Sequence, residues 1–176
     1  MKIGLFLLLL AASSLAQDPA DARIDASCGP NGMNFEMKPA KNPQPPPPLS
    51  AGQARVYVLQ DDDSFQSVTK PTTRVGLDGQ WVGATHGDSY VYFPVDPGEH
   101  HVCASWQAWG NLKAGDKTLT LTLKTVAGRV YYCRVKDVYR PDHVPPTPKL
   151  ETLDFDAGHI LAETFSLSLF QPLQKK

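Results

Sequence analysis

The chain has 176 residues, with Lys+Arg 17 and Asp+Glu 18 for a formal charge of −1. That length fits one domain of roughly 100–150 residues plus its ends, and the near-neutral balance supplies no field to hold nucleic acid or an anionic membrane. With Pro 16 and Gly 13, a helical bundle is excluded and a fold of many short strands and turns is favoured.

The chain opens with Met1-Lys2 and the apolar run Ile3–Ala12, followed by Ser13-Ser14-Leu15-Ala16-Gln17. One positive charge, a short apolar core and small residues at Ser14 and Ala16 form the three parts of a secretory signal peptide, residues 1–16. The apolar run is too short to span a bilayer as a finished helix. Cys28 follows Asp25-Ala26-Ser27, which is no lipoprotein box. The expected product is a soluble exported protein, periplasmic or extracellular, with no transmembrane segment after cleavage.

Residues 17–27 read as an unstructured mature end. Met33–Lys38 alternates apolar and polar residues, a strand with one buried face. The stretch 39–49 holds Pro39, Pro43 and Pro45–Pro48. It reads as extended polyproline II, either a partner's docking motif or, the favoured reading, a stiff spacer between strands. Further strands follow at Ala54–Leu59, Thr72–Leu77, Gln80–Gly83, Ser89–Val95, Glu99–Trp106, Thr118–Leu123 and Arg129–Lys136. Asp78-Gly79 is a two-residue hairpin signal, and Pro97-Gly98 marks the next reversal. Residues 141–148, rich in proline, read as an irregular connection. Leu150–Phe155 reads as a strand, 156–163 as a short helix weakened by Gly158, Phe165–Leu169 as a final strand, and 171–176 as a tail.

Eight to ten short strands with tight turns imply antiparallel neighbours, and no parallel sheet is expected. The fold class is all-β: a two-sheet sandwich, immunoglobulin-like or transthyretin-like, over residues 28–170, with a small barrel as the alternative. The expected core is Phe35, Val56, Val58, Leu77, Val91, Phe93, Val102, Leu119, Leu121, Phe165, and Val130 or Tyr131.

Three cysteines in an exported chain imply one bridge and one thiol left over. In Glu99–Trp106, Cys103 lies on the polar face with Glu99, His101 and Ser105; Cys133 shares an apolar face with Tyr131 and Val135. This alternation favours Cys28–Cys103 with Cys133 free, although alternation does not fix connectivity.

The central block runs Arg74-Val75-Gly76-Leu77-Asp78-Gly79-Gln80-Trp81-Val82-Gly83, then Gly87-Asp88-Ser89-Tyr90, Val95-Asp96-Pro97-Gly98-Glu99-His100-His101-Val102-Cys103-Ala104 and Ala127-Gly128-Arg129-Val130-Tyr131-Tyr132. It resembles the domain of unknown function 2846 (DUF2846) family, in the version found in exported proteins of soil bacteria such as acidobacteria. The resemblance covers about residues 28–170 and implies an exported β-sandwich without an established activity. It also pairs the Cys28-Gly29-Pro30 start with the His100-His101-Val102-Cys103-Ala104 strand, and Cys133 stands outside the pattern. Many relatives look like lipoproteins, an anchoring that does not carry over here.

Candidate chemistry is sparse. His86, Asp88 and His101, near His100 and Glu99, are the metal-ligand types that cluster locally, but adjacent His100 and His101 point to opposite faces of a strand and no HxH or HExxH spacing occurs. No Gly-x-Ser-x-Gly or phosphate loop supports a hydrolase. Among Trp81, Tyr90, Tyr92, Trp106 and Trp109, Trp106 reads as core, whereas Trp109, Tyr90 and Tyr92 could form a ligand platform. The resulting expectation is a non-enzymatic binding or structural module with no cofactor, its partner an unidentified envelope or extracellular component. The alternatives are a carbohydrate- or ligand-binding domain using those aromatics, and a metal-dependent enzyme using His86 with His100 or His101. The leader predicts a mature N-terminus at Gln17; N-terminal sequencing of exported material checks it, and a start at Met1 or a lipid-modified Cys28 would contradict it.

Overall fold

Apolar alternation in the strands becomes two facing sheets. The computed structural model describes residues 28–30, 32–62, 70–107, 118–140 and 143–173. The leader, residues 17–27 and Trp109 lie outside the described residues. The strands are β1 Phe35–Pro39, β2 Ala54–Asp61, β3 Thr72–Leu77, β4 Gln80–His86, β5 Ser89–Val95, β6 Gly98–Trp106, β7 Thr118–Thr125, β8 Val130–Arg140, β9 His143–Leu153 and β10 Ser166–Pro172, with helix α1 Phe155–Thr164 before the last. One sheet has the order β1-β10-β5-β2-β8-β9 and the other β4-β3-β6-β7.

Asp78 and Gly79 take φ of 50° and 80° in the β3–β4 hairpin, the left-handed pair that matches strand twist. The core between the sheets joins Ala54, Val56, Val58, Val91, Phe93, Val95, Cys133 and Val135 of the large sheet to Val75, Val102, Ala104 and Leu123 of the small one. Trp106 is also buried. Of the expected core, Phe35, Val56, Val58, Val91, Phe93 and Val102 are buried, while Leu77, Leu119, Leu121, Val130, Tyr131 and Phe165 are half-buried. A second cluster lies on the outer face of the large sheet. There α1 covers Tyr57, Leu59, Tyr90 and Tyr132 through Leu161 and Ala162, with Phe165 and Leu167 packed beside them. β2 is therefore buried on both faces, and only Arg55 in it is half-exposed.

Three expectations are corrected, the last of them at the C-terminal tail below. Parallel pairs do occur: β2 runs parallel to β8, from Arg55 opposite Val130 to Asp61 opposite Lys136, and β10 runs parallel to β5 at Ser166–Ser89 and Leu167–Tyr90. Tight turns constrain only neighbours in sequence; between β2 and β8 the chain runs through β3, β4, β6 and β7 of the small sheet and β5 of the large one. The second correction concerns 141–148, where β9 already begins at His143 and pairs antiparallel with β8. Its prolines are tolerated because β9 is an edge strand whose outer side needs no ladder donors.

Helix α1 extends the expected span by one residue at each end. Asp154 caps it, accepting from the Ala157 N–H at 2.9 Å. Gly158 is where the helix meets the sheet, since a Cβ there would lie 2.2 Å from Tyr132 Cγ. β10 continues through Pro172, into the span read as a tail. The pairing directions make β1 parallel to β2. The proline-rich stretch must therefore return along the length of the sheet, and the Arg55 guanidinium donates to the Pro47 carbonyl on the way.

Leu123 faces the core and Thr122 faces out. Leu123→Ala is expected to lower unfolding free energy by about 2–5 kcal/mol in denaturant titrations, and Thr122→Ala by no more than about 0.5 kcal/mol.

Candidate functional site

The most elaborate side-chain arrangement lies on the outer face of the small sheet. Cys28 and Cys103 are bridged, with Cα atoms 5.3 Å apart and a sequence separation of 75, and both are fully buried. This is the pairing favoured by strand alternation: Cys103 points away from the core, and residues 28–30 and 32–34 cover it as a strap. Gly76 stands opposite Cys103 in the β3–β6 register, and a Cβ there would sit 2.4 Å from the Cys28 carbonyl oxygen. Trp81 packs against Gly29 and donates from Nε1 to the Pro30 carbonyl at 2.9 Å.

Arg74 lies wholly buried beneath the strap. Its guanidinium sits 4.4 Å from the Trp81 ring centroid and donates to Met33 O at 3.0 Å and Ser105 Oγ at 2.8 Å. Arginine keeps its charge in such a place because its fork of donors is held by oxygens and its plane stacks on the ring. Gln107 then grips the backbone of Phe35 from both sides, its Oε1 accepting the N–H and its Nε2 donating to the carbonyl at 3.1 Å. Sequence reasoning missed Arg74, Ser105 and Gln107. A signal for Arg74 was present: its neighbours Thr73 and Val75 belong to a buried strand, and Arg74 shares the outer parity of Cys103.

The third cysteine, Cys133, is free and buried. Burial pushes its thiol up to about 12, so it is unreactive at neutral pH.

The proposed metal-ligand types are placed apart. His86 pairs with Thr72 at one end of β3, whereas His101 offers its carbonyl to Asp78 N–H at the other; the two lie roughly 20 Å apart along the strand. Among the described residues no three His, Cys, Asp or Glu side chains gather to hold a metal ion. His100 is instead a clamp on the hairpin: Nδ1 lies 2.7 Å from Asp78 Oδ2 and Nε2 lies 2.8 Å from Asp96 O, while Asp78 Oδ1 accepts the His101 N–H at 2.8 Å. Both imidazole nitrogens face oxygens that only accept, which suits the protonated ring. Burial alone would lower the His100 pKa, but the Asp78 bond and the Asp96 carbonyl outweigh it and raise it. Burial likewise works to raise Asp78, and the His100 and His101 bonds outweigh it and lower it.

Tyr90 and Tyr92 lie on the outer face of the large sheet, around Tyr57, with ring centroids 5.7 and 5.5 Å from it. Tyr57 also stacks on Tyr132 at 5.0 Å. Tyr90 is buried in this cluster, and Tyr92 is half-exposed beneath the Arg55 guanidinium. The rings pack on one another and do not form a flat row. Burial raises the hydroxyl pKa of Tyr57, Tyr90 and Tyr132.

His86 and Asp88 do come together with other polar groups. Chain passes from the small sheet to the large one through Gly87-Asp88, and a groove of about 180 Å³ opens there between β1, β10 and the start of β5. Ser89 and Ser168 form its buried floor, their hydroxyls 2.8 Å apart, and Ser89 Oγ also accepts the His86 N–H at 3.0 Å. Asp88 accepts the Asp62 N–H through Oδ1 at 3.0 Å and the Lys70 ammonium through Oδ2 at 3.2 Å. His86 Nδ1 lies 3.2 Å from Thr72 Oγ1.

The His100–Asp78 clamp sets a pH dependence. A raised histidine pKa stabilises the fold fully below 6.5 and the gain fades as pH climbs through the folded value; a lowered aspartate pKa stabilises above 3.8 and the gain fades as pH falls through the folded value. The stability gap between wild type and His100→Gln, measured by thermal melts, is expected to be widest near about pH 5–6 and to narrow by about pH 9. A gap that widens at alkaline pH would contradict the clamp.

Three comparisons bear on identity. No curated protein and no solved structure matches the chain. The model of the family described as "Protein of unknown function (DUF2846)" matches residues 50–144, the span that carries β2 through β8. The strap, β1, α1 and β10 fall outside it. Over half of its length the chain fits that family model, and it belongs to the DUF2846 family.

Proposed function

We propose that this protein is an exported, non-catalytic binding or structural module of the envelope or extracellular space, built as a sandwich of the immunoglobulin-like or transthyretin-like kind. The observation that carries the reading is the fully buried Cys28–Cys103 bridge. Structural disulfides persist in oxidising compartments, and the signal-like leader expected from the sequence leads to one. The residues that mark the family are also occupied with folding. Asp78-Gly79 makes a hairpin, Gly76 admits the strap, Asp78 and Asp96 hold His100, and Asp88 ties two connections together. A reading in which exposed aromatics grip the ligand has less support, because Tyr90 is packed beneath its neighbours. A metal-dependent enzyme has less still, because His86 stands far from His101.

The test is peptide mapping of the protein recovered from periplasmic and culture fractions. The expected result is Cys28 linked to Cys103, with Cys133 alkylated only after denaturation. Reduced Cys28 and Cys103 in a protein retained in the cytosol would overturn the reading.

A further inference from the structure

The groove at the Gly87-Asp88 crossing contains groups whose hydrogen-bonding capacity the fold does not exhaust. Ser89 and Ser168 carry two hydroxyl protons and share one hydrogen bond between them, while Ser89 Oγ accepts a further N–H from His86. One hydroxyl proton of the pair is thus left to be donated at the groove floor. A carboxylate offers about four lone-pair directions. Asp88 engages Asp62 N–H and Lys70, one with each oxygen, which leaves capacity to accept from a ligand. His86 has its Nδ1 on Thr72 and is exposed, so its Nε2 stands at the rim.

Charge in the groove is compensated locally. Asp88 is matched by Lys70 at 3.2 Å and Lys38 by Glu36 at 3.1 Å. An ion gains little from such a site, whereas a neutral ligand that both donates and accepts matches it. Met37 and Pro39 supply an apolar wall from β1, the usual complement to a few fixed polar groups. The groove offers about 180 Å³, many times the roughly 10–15 Å³ that one water needs, room for a ligand the size of one sugar ring.

We propose that this groove binds a single neutral pyranose, with the Ser89–Ser168 pair donating, Asp88 accepting and His86 at the rim. The inference rests on the binding-module reading and names the ligand class for it. The sugar could be free or the terminal residue of a glycan, since the chemistry presented is the same.

The experiment is a ¹H–¹⁵N chemical-shift titration of the oxidised, mature protein with glucose, N-acetylglucosamine and the N-acetylglucosamine trimer, each to about 50 mM, far above a millimolar Kd. Saturable shifts confined to the amides of His86–Ser89 and Ser166–Ser168 are expected from at least one probe. A response to a monosaccharide identifies a free sugar as sufficient, and a response to the trimer alone identifies a glycan end; either supports the site. Ser166 is exposed at the mouth, so Ser166→Trp should block the groove without disturbing the core and weaken binding at least about tenfold. His86→Ala, also at an exposed position, serves as a second variant should the first melt early. No shift from any probe, shifts located elsewhere, or unchanged binding in the folded variants would overturn the sugar site. Those results would leave the export reading standing, because the disulfide mapping decides that one.

Discussion

The Cys28–Cys103 bridge is the constraint on which the outer face of the small sheet depends. It holds a short strap over that face, and the strap in turn covers a charged arginine that would otherwise lie open. In the chain-entropy picture, closing 75 residues removes about 4–5 kcal/mol of freedom from the unfolded chain, as an upper figure. The local consequence matters as much. β1 begins immediately after the strap and, among the described residues, makes its ladder only with β10. β10 joins the ladder of the large sheet at two positions on β5, Ser166–Ser89 and Leu167–Tyr90, with the Ser168–Ser89 hydroxyl bond and Leu167 packing beside them. A strand so lightly held gains its place from being fastened at its start, by Gln107 on Phe35 and by the covalent bond upstream.

That arrangement also explains how the groove comes to exist. Its floor and walls come from three distant stretches: Met37–Pro39 on β1, His86–Ser89 at the crossing between sheets, and Ser166–Ser168 on β10. Only when β1 lies along β10 are all three present. The disulfide on one side of the molecule thus bears on a polar cleft on another, through the backbone of β1.

Much of the architecture was legible in the sequence because it is local. Alternation in Thr118–Leu123 marked a strand, Asp78-Gly79 marked a hairpin, and the polar parity of Cys103 marked it as the cysteine to be covered. The rest was hidden for physical reasons. The parallel β2–β8 pairing joins residues 75 apart in sequence, such as Arg55 and Val130, and no local pattern encodes which strand lies beside which. β2 is buried on both faces, by the small sheet and by α1, so Tyr57 and Leu59, absent from the expected core, form part of a second one. The prolines of β9 looked like a loop, because a sequence does not announce that its strand will sit at an edge. His86, Asp88 and His101 looked like one cluster because they are near in number, yet β3 holds two of them at opposite ends.

The central claim is that the bridge fastens β1, and hence the groove, to an otherwise self-sufficient sandwich. Native-state hydrogen exchange on the oxidised protein and on a Cys28→Ser, Cys103→Ser variant tests it most directly. The account predicts that protection falls sharply at Glu36–Lys38 and their β10 partners while β2, β5 and β8 keep theirs. Equal protection of β1 in both proteins would contradict it.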